Sequence, residues 1–129
     1  MKLPSEAERL RIYIGQSDKF EGRPLYEVIV EQARRRGLAG ATVVRGTLGF
    51  GANSCIHSAK SLRVSEDLPM VVEIVDNPDR IAGLLPEIDS MLGEGLVTRE
   101  KVQVMLYRHE EKSKPKAAKP PRPAKGAGS

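Results

Sequence analysis

Strand and helix signals follow one another along most of this chain in the order β-α-β-β-α-β, and few folds accept that order. Leu10, Ile12 and Ile14 alternate with Arg9, Arg11 and Tyr13, the period of a half-buried strand. Residues 15–22 are polar and loop-like. Pro24 suits a first helical turn, and Leu25, Val28, Ile29 and Ala33 then fall on one helical face. Arg34, Arg35 and Arg36 suit the negative end of that helix, with Gly37 as its cap. Residues 42–48 are rich in β-branched side chains and predict the second strand. Residues 70–75 form a nearly continuous apolar run, as at the centre of a sheet. Asn77-Pro78-Asp79 is a helix start, followed on one face by Ile81, Leu84, Leu85, Ile88 and Leu92. Pro86 is expected to kink or split that helix, because it lacks the N–H that bonds back one turn. Val102, Val104 and Leu106 predict the last strand.

Two interleaved right-handed βαβ crossovers give an α+β fold, the ferredoxin-like β-α-β-β-α-β sandwich: one four-stranded antiparallel sheet with both helices on one face. With no Trp, three Tyr and two Phe, its core has to be aliphatic. The other face would carry Arg9, Arg11 and Tyr13, then Val71, Glu73 and Val75, then Gln103, Met105 and Tyr107. That mixture is too apolar for water and too polar for a core. It suits contact between subunits.

The 129 residues suffice for one domain, read as 1–111. Residues 112–129 hold five Lys, one Arg and no acid, a charge of +6 against −2 for the rest. They contain no large apolar side chain and are expected to be a disordered Lys/Pro-rich basic tail. Its charge suits nonspecific contact with an anionic surface or nucleic acid. So few aromatics offer no stacking platform for sequence-specific RNA binding. The first residues lack the apolar stretch of a secretory signal, no run is long enough to span a membrane, and the lone Cys55 can form no internal disulfide. A cytoplasmic location is expected.

Hairpin connections usually take about two to five residues. The one between strands two and three runs over 49–68, and loops of that length are functional or disordered. It opens with Gly49-Phe50-Gly51, whose glycines let backbone N–H groups turn toward a ligand. Lys60 and Arg63 add cations for an anionic one.

The segment Gly37-Leu38-Ala39-Gly40-Ala41-Thr42-Val43-Val44-Arg45-Gly46-Thr47-Leu48-Gly49-Phe50-Gly51 resembles the stretch of PII signal-transduction proteins that leads into their T-loop. There a Gly-x-x-Gly-x-Thr-Val segment is followed by a strand and then Gly-Phe-Gly. Gly22-Arg23-Pro24-Leu25-Tyr26-Glu27 is similar to the small bacterial PII-like branch, and the resemblance spans about residues 10–107. It implies a homotrimer and a regulator, not an enzyme. It also implies an adenine nucleotide effector (ADP, ATP or AMP) in clefts between subunits, with no covalent cofactor. The T-loop would change shape with the ligand. Membrane transport is a common association of that branch, including small fluoride-exporting channels, so a membrane transporter or channel is the partner implied. Gly49, Phe50 and Gly51 match the loop base that approaches the phosphates, and Asn53 falls near a glutamine of the family. Gly93-Glu94-Gly95 resembles the Gly-Asp-Gly of a second phosphate loop. The family follows it with lysine; this chain has Leu96, leaving Arg45, Lys60 and Arg63 as candidate replacements.

Plainer readings stand beside these. Gly46, Gly49 and Gly51 also serve simply to turn a strand end, and Arg45 also reads as a solvated strand residue. Cys55 and His57, with a distant His109, fall short of the three or four ligands a metal needs, and no metal is expected. Acylphosphatase-like hydrolases share the element order but need an arginine-bearing phosphate loop after the first strand. Gly15-Gln16-Ser17-Asp18-Lys19 lacks one. A CutA-type metal-tolerance protein is a further alternative, and a metal chaperone would need an absent Cys-x-x-Cys. Fold alone does not separate these.

Overall fold

The computed structural model describes residues 5–50, 57–58 and 67–109. Strand β1 (Glu6–Gly15) leads through a two-stranded ribbon, β2 (Lys19–Phe20) and β3 (Arg23–Pro24), into helix α1 (Leu25–Arg35). Strand β4 (Thr42–Arg45) follows, then a second ribbon, β5 (Leu48–Gly49) and β6 (His57–Ser58). Strand β7 (Pro69–Asp76), helix α2 (Pro78–Met91) and strand β8 (Leu96–Gln103) complete the order. The main sheet runs β4-β7-β1-β8 with every neighbouring pair antiparallel. Each βαβ crossover therefore skips one strand of the other, which is the ferredoxin-like topology.

Register places the aliphatic rows on one face. Leu10 lies opposite Ile74, Ile12 opposite Val72, and Ile14 opposite Met70. These pack with Leu25, Ile29 and Ala33 of α1 and Ile81, Leu84, Ile88 and Met91 of α2 in one core. Burying each such side chain contributes roughly 1.5–3 kcal/mol. One end of each helix is closed by a recognisable cap. In α1 the Gly37 amide bonds Arg34 O and the Leu38 amide bonds Ala33 O, with Gly37 at φ +75°, the left-handed turn that a glycine makes without strain. In α2 the Asn77 side chain accepts from the Arg80 amide at 2.8 Å, and Pro78 takes the first helical position.

Several expectations need correction. Pro24 stands just before α1, in an extended conformation, instead of inside its first turn. The polar 15–22 stretch contributes one strand, Lys19–Phe20, of a short ribbon completed by Arg23–Pro24. The second strand stops at Arg45: the Gly46 amide makes the next in-register bond, to Pro69 O at 2.7 Å, but Pro69 has no N–H to return it, and the chain re-forms strand only at Leu48. Helix α2 is a single 14-residue helix through Pro86. Pro86 and Ala82, whose carbonyl loses its partner, are both exposed, so solvent has access to that carbonyl. The last strand is Leu96–Gln103, eight residues, not one built on Val104 and Leu106. Its register against β1 ends at Glu6 opposite Gln103; the Val104 amide still reaches Ser5 O, and no β1 residue remains beyond. The bare face of β8 is consequently Leu96, Thr98, Glu100 and Val102, opposite Tyr13, Arg11, Arg9 and Ala7, while Met105 and Tyr107 lie outside the sheet. The tail read over 112–129 lies outside the described residues.

Candidate ligand site at the loop-bearing end of the sheet

The 46–68 connection leaves and re-enters the sheet at one end, where Gly15 pairs with Pro69. The departing limb lies on the Pro69 ring. A Cβ on Gly46 would stand 3.0 Å from Pro69 Cγ, and one on Gly49 would stand 3.1 Å away. Glycine at both positions thus lets the backbone close on the proline. Leu48 and Phe50 project as exposed apolar groups, 64% and 67% accessible. Arg45, opposite Met70 on the sheet edge, is also exposed. Leu48 and Gly49 pair with Ser58 and His57, so His57 contributes its backbone to β6.

The returning limb is gripped from the other side. The Ser17 amide donates to Asp67 Oδ1 at 3.0 Å, and the Gln16 amide donates to Leu68 O at 2.8 Å. Asp18 accepts from the Gly15 amide at 2.9 Å, and its carbonyl accepts from the Leu25 amide, the first of α1. The sequence does not single out Asp67 and Pro69, and it shows Gly15 only as the start of a turn without a phosphate-binding arginine. The only signal was Asp67-Leu68-Pro69 directly before an apolar run.

The second glycine segment sits at the same end on the opposite edge. Gly95 has φ +151°, and a Cβ there would lie 2.8 Å from Tyr13 O, so only glycine fits. Gly93 faces open space. Three strand spacings separate the β4 and β8 edges, about 14 Å. One protomer therefore brings Gly46, Gly49 and Phe50 to the same end as Gly93 and Gly95, but not into one cleft. Gly51, Asn53, Cys55, Lys60 and Arg63 lie outside the described residues.

The bare sheet face is a series of rows. Val44, Val71, Tyr13 and Leu96 form an apolar row across all four strands. The next row is Thr42, Glu73, Arg11 and Thr98, with Arg11 Nε bonded to Glu73 at 2.8 Å. That hydrogen bond raises the Arg11 guanidinium above its usual range. Arg9 pairs with Glu100 in the row beyond. Two surface hollows lie elsewhere, against the helices. One, of about 330 Å³, is lined by Phe20, Arg23, Val28, Glu31, Glu87 and Met91; the other, of about 450 Å³, lies beside Arg36, Asn77 and Arg80. Among the described residues no three His, Cys, Asp or Glu side chains group to hold a metal ion. His109 stacks at a tilt on Tyr107, with ring centroids 5.7 Å apart.

This backbone is similar to that of CPII, a nitrogen regulatory PII-like protein from Thiomonas intermedia K12 whose structure was solved bound to ADP, AMP and bicarbonate. The TM-score is 0.56 at 18% identity, over 77% of this chain and 88% of CPII. It is also similar to TTHA0516 from Thermus thermophilus, described as a PII-like signaling protein, with a TM-score of 0.58 at 17% identity over 77% and 89% of the two chains. The fold is thus the PII-like form of the ferredoxin-like sandwich. The chain belongs to the DUF190 family (Uncharacterized ACR, COG1993), whose model matches residues 7–104. A UPF0166 protein of Aquifex aeolicus is 41% identical over 96 residues, 74% of this chain and 90% of that protein. The UPF0166 protein MJ1524 of Methanocaldococcus jannaschii is 34% identical over 93 residues, 71% and 85% of the two chains.

Proposed function

We propose that this protein is a PII-like regulator: a homotrimer that binds an adenine nucleotide between protomers and signals through the 46–68 connection to a partner, a membrane transporter or channel. The placement of the two glycine segments carries the reading. They share one end of the sheet yet sit on opposite edges, so a single ligand touching both needs the β4 edge of one copy beside the β8 edge of another. The semi-apolar bare face gives copies a reason to associate. CPII, of like fold, was solved with ADP and AMP. The acylphosphatase alternative fares worse. The amides of Gln16, Ser17 and Asp18 are spent on Leu68, Asp67 and Gly15, which leaves that turn no cradle for a phosphate.

Calorimetry with AMP, ADP, ATP and cyclic nucleotides tests the reading. Binding of one of them in the micromolar range is expected. Phe50→Asp and Gly93→Asp place new charge in open positions and should weaken it at least about tenfold. Sedimentation should report a trimer. A monomer that binds none of these nucleotides sinks the reading.

A further inference from the structure

Asp67 sits where three segments meet. A Cβ on Gly15 would fall within the Asp67 carboxylate, so the bare Gly15 backbone is its seat. From that seat Asp67 Oδ1 accepts the Ser17 amide, and next to it Leu68 O accepts the Gln16 amide. Two residues on, Pro69 accepts the Gly46 amide through its carbonyl and carries Gly46 and Gly49 on its ring. The chain of contacts is continuous: the 15–18 turn holds Asp67 and Leu68, these lead directly into Pro69, the first residue of β7 opposite Gly15, and Pro69 carries the departing limb. The turn is itself anchored, since Asp18 O holds the first amide of α1.

We infer that Asp67 is the positioning residue of the candidate nucleotide site: seated on Gly15 and bonded to Ser17, it sets Pro69 and thereby the backbone of Gly46 and Gly49. It touches no ligand in this scheme and acts through the proline. The inference rests on the nucleotide reading for what the site binds, but not for the coupling itself.

Amide hydrogen exchange on the full chain, with calorimetry against ADP, tests it. Asp67→Ala should speed exchange at Ser17 at least about tenfold, the loss of a hydrogen bond to a charged acceptor. It should also speed exchange at Gly46, to which the described contacts lead through Leu68 and Pro69. Gly15→Ala should do the same from the opposite side. The three atoms nearest its new methyl all belong to the Asp67 carboxylate, the end of a flexible side chain, so the fold should survive while the carboxylate is displaced. Asp67→Asn keeps an acceptor and should stay near wild type. In the double variant Gly15→Ala/Asp67→Ala the two effects should not add, because both remove one contact. ADP affinity should fall at least about threefold in the Ala variants and recover in Asp67→Asn. Faster exchange at Ser17 with Gly46 unchanged overturns the inference, and so does unchanged ADP affinity beside a loosened Gly46. A wild-type protein that binds none of AMP, ADP, ATP and the cyclic nucleotides defeats the nucleotide reading alone, and Gly46 exchange still decides the coupling.

Discussion

The two faces of the main sheet are made by alternate residues of the same strands, yet they obey different rules. On the helical face every side chain from Leu10, Ile12, Ile14, Met70, Val72 and Ile74 is aliphatic and nearly inaccessible. On the other face an apolar row, Val44, Val71, Tyr13 and Leu96, borders a row held by the Arg11–Glu73 ion pair. The first face stabilises the protomer and is finished when the chain folds. The second has paired its charges internally but left its apolar row uncovered. A charge already neutralised costs less to desolvate than a lone one, though the pair still has to surrender water. The difference assigns folding to one face and, under the proposed trimer, association to the other.

Adjacent residues of β1 can break that division. Ile12 is 0% accessible and Tyr13 is 36% accessible. Ile12→Ala should cost about 2–5 kcal/mol, from lost transfer energy and the cavity left behind. Denaturant unfolding should show that loss at every protein concentration. Tyr13→Ala should cost under about 1 kcal/mol in the dilute protomer and more as protein concentration rises, since only the assembled form covers the ring. Sedimentation of Tyr13→Ala should show a weakened assembly, while Ile12→Ala leaves association per folded chain unchanged. Equal, concentration-independent losses for both variants would erase the distinction between the faces.

How much of this was legible in the sequence depended on what each residue answers to. The strand at Leu10, Ile12 and Ile14 and the helix start at Asn77-Pro78 were readable because periodicity and capping are local. The last strand was misplaced because β8 is an edge strand with few apolar residues. Its end is set by where β1 begins, at Glu6, and not by Val104 and Leu106 themselves. The second strand ends early because the residue opposite Gly46 is Pro69 of β7, which offers no N–H, and nothing local to residues 42–48 tells which residue lies opposite. At the candidate site, the Gly49-Phe50-Gly51 motif stands out in the sequence, while the structure puts Gly49 inside β5 and Gly51 lies outside the described residues. Asp67 does not stand out: its seat is Gly15 and its donor is Ser17, 50 residues earlier in the chain, and no spacing rule connects them.

The smallest expected effect comes from comparing ion pairs on the two surfaces. Arg23 on the helical side binds Glu31 through two hydrogen bonds, 2.8 and 2.6 Å, with both side chains well exposed. The Arg23 hydrogen bond holds the Glu31 carboxyl below its usual value. A depressed folded-state value stabilises the fold above the ordinary glutamate range, about 4.3, and loses that contribution as pH falls through the lowered value. Glu31→Gln should therefore lower Tm slightly at neutral pH, as befits an exposed pair, and the gap from wild type should close in acid. Added salt should narrow the same gap at neutral pH, because an exposed pair is screened. Arg11–Glu73 gives the contrast: if copies of the chain cover the bare face, its response to salt should be weaker than that of Arg23–Glu31. Thermal melts of Glu31→Gln and Glu73→Gln at low and high salt make the comparison, and equal salt sensitivity would mean that the bare face is as wet as the outer surface of α1.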